Sequence, residues 1–94
     1  MEKFLIGEDS LTLENERIAS LKYYLLEQSK IMEETGENLI TYGIEIEKSE
    51  RGNIEKDFVL DITTEKEYAL NITNSLKNNK ITPIHLKDII VDML

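Results

Sequence analysis

The chain has 94 residues, 40% hydrophobic and 32% charged, with a net charge of −8 and no cysteine. That is one domain's worth of chain, residues 1–94, with the composition of a folded protein. The missing cysteine excludes a disulfide framework, a thiolate zinc site and a cysteine nucleophile, and the acidic balance argues against nucleic acid and anionic membranes as partners.

The charge is unevenly placed. Residues 1–50 carry 12 acids and 5 bases, and residues 51–94 carry 7 acids and 6 bases. No apolar run approaches the ~18 residues of a spanning helix. The opening MEKFLIGEDS has three consecutive apolar residues and then acids, so it does not read as a signal peptide. The expected location is the cytoplasm.

In chain order, "KFLI" and "SLTL" read as short edge strands or as an ordered arm over residues 1–20. Residues 16–34 are ambiguous. Leu21, Tyr23 and Leu25 alternate as on a strand, while Ile18, Leu21, Leu25 and Met32 share a helical stripe. Propensity leans helical, and the doubled Tyr-Tyr-Leu-Leu leans strand. "EETGEN" is a turn. In "LITYGIEIEK", Ile40, Tyr42, Ile44 and Ile46 alternate with polar residues or glycine, which predicts a strand with one buried face. "SERGN" predicts a turn, and "IEKDFVLDIT" a second strand burying Ile54, Phe58, Leu60 and Ile62, so the two form a hairpin.

Two helices follow. Thr64 and Glu67 have the spacing of a capping box, ahead of a stripe of Tyr68, Ala69, Ile72 and Leu76. "KNNK" ends that helix, with an asparagine in the left-handed position. The last helix starts at Thr82 as N-cap with Pro83 in its first turn. Leu86, Ile89, Ile90 and Met93, joined by Leu94, make its main stripe; Ile84 and Val91 are seven apart and point elsewhere.

The order "YYLLE", acidic turn, "TYGIEIEK" and closing "ITPIHLKDIIVDML" resembles a family of small uncharacterised proteins from clostridial-type bacteria, a domain of unknown function. The resemblance covers about residues 21–94. It implies a fold unit and no activity, and it favours "YYLLE" as a strand pairing with "YGIEI".

Few residues suggest chemistry. His85, the only histidine, shares a helical face with Asp88 and Asp92. As a base or ligand it would need a nucleophile, a bound substrate or further ligands; otherwise it is a solvated first-turn residue. Glu33, Glu34 and Glu37 lack calcium-loop spacing, and Glu45 and Glu47 alternate with buried isoleucines as a wet strand face requires. Glu67, Asn71, Asn74 and Asn78 form a solvent stripe. The four glycines are scattered, with no phosphate loop. No metal or cofactor is expected.

The expected fold is α+β: a two-layer, three-stranded antiparallel meander, four- or five-stranded if the N-terminus contributes, packed against two C-terminal helices. Its core would draw on Leu21, Tyr23, Leu25, Tyr42, Ile44, Ile46, Phe58, Leu60, Ile62, Tyr68, Ile72, Leu76, Leu86, Ile89, Ile90 and Met93. Tyr24, Leu26 and Val59 would then face outward on the open side of the sheet, unless Phe4, Leu5 and Ile6 of the arm cover them. With Ile84 and Val91 they make the candidate interface. The expected function is a non-enzymatic module binding a protein partner or its own copy. The alternatives are a ligand-binding or catalytic domain using His85 with Asp88, and an acidic mimic of nucleic acid.

Overall fold

The computed structural model describes residues 1–93. Leu94, placed above in the last apolar stripe, lies outside the described residues. Four strands come first: β1 (Glu2–Thr12), β2 (Ile18–Ile31), β3 (Asn38–Glu50) and β4 (Asn53–Thr63). Two helices follow, α1 (Lys66–Asn78) and α2 (Pro83–Met93). The strands form one antiparallel meander in the order β1-β2-β3-β4, and the helices cover one of its faces. This is the expected two-layer α+β fold in its four-stranded form.

The N-terminal residues form one long edge strand, not two short ones. It pairs with β2 from Glu2↔Glu27 to Thr12↔Ile18, with a bulge between Leu5 and Gly7. The ambiguous stretch is strand. Ala19, Leu21, Tyr23 and Leu25 are all buried, which is the period of two. Lying between β1 and β3, β2 has both edges hydrogen-bonded, and that outweighs its helical propensity.

The core lies between sheet and helices. Leu21, Tyr23, Ile44 and Ile46 meet Ile72 and Leu76 of α1 and Leu86 and Ile90 of α2. A smaller cluster joins Leu25, Tyr42 and Ala69, with Ile6 packed against it. The Tyr23 hydroxyl donates to the carbonyl of Ile81 at 2.8 Å, tying the central strand to the link between the helices.

β4 departs from expectation. Arg51 and Gly52 both have positive φ, 49° and 84°, the two-residue turn that matches strand twist. It sets Glu50 opposite Asn53, and hence Glu45 opposite Phe58 and Ile44 opposite Val59. Val59 therefore turns toward the helices, while Phe58 lies on the other face, 47% exposed. Between Ile44↔Val59 and Tyr42↔Thr63 the register shifts, and β4 carries two extra residues. Asp61 takes φ 55° within this bulge. Ile62, beyond it, packs against the core. A single alternating face through Phe58, Leu60 and Ile62 therefore does not exist. Tyr68 and Met93, also expected in the core, are exposed.

The helix ends differ in detail as well. No capping box forms at Thr64. Glu65 occupies the cap position without a side-chain bond, and its N–H donates to Thr63 Oγ1 at 3.0 Å. At the far end Lys80, not an asparagine, takes the left-handed position, with φ 51°. The Ile81 N–H donates to Leu76 O and the Lys80 N–H to Lys77 O, both at 3.0 Å, the paired bonds of a Schellman stop. Pro83 opens α2 as its spacing predicts.

Candidate functional site

The open face of the sheet is partly covered by its own side chains, although Leu5 and Phe58 on it stay exposed. Leu26, expected to be outward, is 1% exposed, and Tyr24 is half-buried. Val59 does not lie with them, because the register turns it to the helix side. Lys3 sits opposite Leu26 on β1, with its ammonium 4.1 Å from the centroid of the Tyr24 ring and in an ion pair with Glu45. The hydrogen bond that Lys3 donates to Glu45 raises the pKa of Lys3. Glu45, expected to be solvated, is therefore buried under its partner. At the other end of this face, Asp61 accepts from Thr41 Oγ1 at 2.6 Å and pairs with Lys30. The Lys30 bond, then the Thr41 bond, hold the Asp61 carboxyl below its usual pKa. The N-terminal strand thus covers this side, but through Lys3. Ile6 packs on the helix side, and Leu5 stays exposed.

Apolar surface is also exposed along the seam between β4 and α2. An open groove of about 440 Å³ is lined by Phe58, Val59, Leu60, Lys87, Ile90 and Val91. Beside it, a hollow of about 330 Å³ lies among Glu55, Lys56, Asp57, Pro83 and Ile84. Helical periodicity explains the arrangement. Leu86 and Ile90 bury against the sheet, so Ile84, Lys87 and Val91 fall on the flank, with Asp88 and Asp92 next to them toward solvent. Ile84 is 77% exposed and Val91 71%.

The charges of the seam are only partly matched. Lys87 Nζ lies 3.3 Å from Asp57 Oδ1, which also accepts the Phe58 N–H at 2.9 Å. Among the described residues, Glu55, Asp88 and Asp92 enter no ion pair.

The other sequence candidates stay apart. His85 and Asp88 are both exposed, and no ion pair joins them. Glu33, Glu34 and Glu37 are exposed in the β2–β3 turn, which is held by the Met32 N–H on Glu37 O at 2.8 Å. Among the described residues, no group of three or more His, Cys, Asp or Glu side chains could hold a metal ion. Among the described residues, no helix is long and apolar enough to cross a membrane. Sequence reasoning missed Phe58, Leu60 and Lys87 as lining residues. The signal for Phe58 was present: counting strand partners outward from a two-residue Arg51–Gly52 turn places it opposite Glu45, off the core face.

Comparison with known proteins finds one family model that matches residues 2–94, that of a family of unknown function, DUF6514. The match takes in β1, which the sequence resemblance had left outside. No curated protein and no solved structure matches the chain.

Proposed function

The chain belongs to the family of unknown function DUF6514, and we propose that it works as a non-enzymatic interaction module presenting the β4–α2 seam to another protein. One observation carries this reading. Phe58 and Val91 line one groove and Ile84 lines the adjoining hollow, all three exposing apolar surface, and the nearby acids Glu55, Asp88 and Asp92 enter no ion pair among the described residues. Contiguous apolar surface rimmed by charge is characteristic of protein contact sites. The setting we propose is the cytoplasm of a clostridial-type bacterium, with no nucleic acid or membrane as partner. The competing reading, a ligand-binding or catalytic domain using His85 and Asp88, draws no support from their positions on an exposed helix face.

The test is affinity capture by the tagged full chain from its native host, alongside the same capture with Val91→Glu. Val91 is mostly exposed, so the variant should fold, and circular dichroism checks that it does. Loss of the captured proteins with the variant is the expected result. Capture unchanged by Val91→Glu and by Phe58→Glu would remove the seam from consideration.

A further inference from the structure

We infer that the occupant of the seam is a basic peptide segment of a partner protein, anchored by an apolar side chain, and not a second copy of this chain. This rests on the contact-surface reading above and adds the chemistry of the partner.

The groove accepts apolar atoms. Its walls are Phe58, Val59, Leu60, Ile90 and Val91, and the one charge in its lining, Lys87, is already held by Asp57 at 3.3 Å. A partner's cation has nothing to gain inside it. Around it the position reverses: Glu55 lines the adjoining hollow, Asp88 and Asp92 lie exposed on α2, and among the described residues none of the three enters an ion pair. The chain as a whole carries −8, so long-range attraction also selects a cationic segment.

Self-pairing through the charged stretch of β4, residues 55–57, fails on the same charges. A two-fold axis between antiparallel β4 edges brings residues of the same face together. Centred on Lys56, it sets Lys56 against its own copy and Glu55 against Asp57. Centred on Asp57 or Glu55, it sets that acid against itself. Like charges directly opposite destabilise a strand pair. One donor of β4 is also taken: the Phe58 N–H donates to Asp57 Oδ1 at 2.9 Å. A charged residue bound to its own edge is a common guard against strand addition. The occupant is therefore held through side chains lying over the cleft.

Spacing narrows the motif. Asp88 and Asp92 are one helical turn apart, about 6 Å along the axis. Alternate residues of an extended segment lie about 6.6 Å apart. Because successive side chains point to opposite sides, a basic–apolar–basic triplet laid along the Val91 flank of α2 can direct both cations to the carboxylates on one side and its middle side chain to the groove on the other.

The test uses the full isotope-labelled chain and three short acetylated peptides with Lys-Leu-Lys, Glu-Leu-Glu or Lys-Ala-Lys at the centre of a Gly-Ser frame. The Lys-Leu-Lys peptide should shift the amides of Phe58, Val59, Leu60, Lys87 and Val91, less so as salt rises. The other two should bind about tenfold more weakly or not at all. Asp88→Asn with Asp92→Asn should weaken binding similarly while leaving the fold intact. Equal binding by the glutamate peptide, or shifts centred elsewhere, would overturn the inference. So would a failure of all three peptides to bind. A dimer in sedimentation that Val91→Glu abolishes would also overturn it, yet would keep the contact-surface reading. That reading falls only if capture from the host is indifferent to Val91 and Phe58.

Discussion

Lys3 reaches from the first strand to Glu45 on the third, with its ammonium also over the ring of Tyr24 on the strand between them. Two interactions hold one cation over Leu26, and the buried carboxylate depends on it. An exposed ion pair contributes about 0–1 kcal/mol and a cation–π contact about 0.5–1 kcal/mol. Lys3→Met keeps the apolar stem but strands Glu45, and should cost about 1–2 kcal/mol in urea unfolding. Adding Glu45→Gln should recover part of that loss, because a buried charge without a partner costs more than a buried amide. Additive losses would mean that Glu45 does not depend on Lys3.

The bulge in β4 rests on Gly43. A Cβ there would sit 2.2 Å from the Val59 carbonyl oxygen and 3.0 Å from the Leu60 Cα, both backbone. Gly43→Ala should force β4 outward and cost about 3 kcal/mol, the upper part of the usual range for overpacking. Gly7→Ala is the control. Its Cβ would meet only Lys77 Cδ and Cε, at 2.5 and 2.7 Å, the movable end of a side chain. It should cost well under half as much, and similar midpoints for the two variants would disprove the argument.

The difference between these two glycines also marks how far sequence reading carries. The hairpin, both helices and the inward residues Tyr42, Ile44 and Ile46 of β3 were legible, because period-two and helical stripes report which face is buried. By contrast, β2 fits both periods, and only the family resemblance favours it as a strand. Asp61 and Lys80 were not, since both take left-handed conformations without being glycine. The bulge at Leu60–Ile62 shifts the phase of β4, and a uniform alternation cannot reveal that. Leu26 looked outward because its alternation with Leu25 is real. What covers it comes from Lys3, far away in sequence. The exposure of Ile84 and Val91 was legible, because their seven-residue spacing lies off the main stripe.

Asp61 combines an unusual backbone with a lowered pKa. Its folded pKa lies below its unfolded value of about 3.9. The group's stabilising contribution is therefore complete above that value and is lost as pH falls through the lowered folded one. Asp61→Asn keeps a residue that tolerates left-handed φ and an acceptor for Thr41, so it should mainly flatten the acid limb of the stability curve. Asp61→Ala also loses that tolerance and should cost a further ~1 kcal/mol at neutral pH. Urea midpoints measured from neutral to acid pH separate the two effects. An unchanged acid limb in Asp61→Asn would rule out the ionic role.

Tyr23 makes the complementary prediction at alkaline pH. It is fully buried, and its hydroxyl is committed to the Ile81 carbonyl at 2.8 Å. Burial, with a smaller push from Asp9, raises its pKa to about 12. The unfolded tyrosine ionises near 10, so between those values the unfolded chain has lost a proton that the folded chain keeps. Stability is then independent of this group below about pH 10 and falls from there to about 12, by up to about 3 kcal/mol. Tyr23→Phe leaves the Ile81 carbonyl without that donor and should cost about 1–2 kcal/mol at neutral pH. Having no proton to lose, it should also lack this part of the alkaline decline. The gap between wild type and variant should therefore narrow above pH 10, and parallel curves would show that the hydroxyl is not held as the Ile81 bond requires.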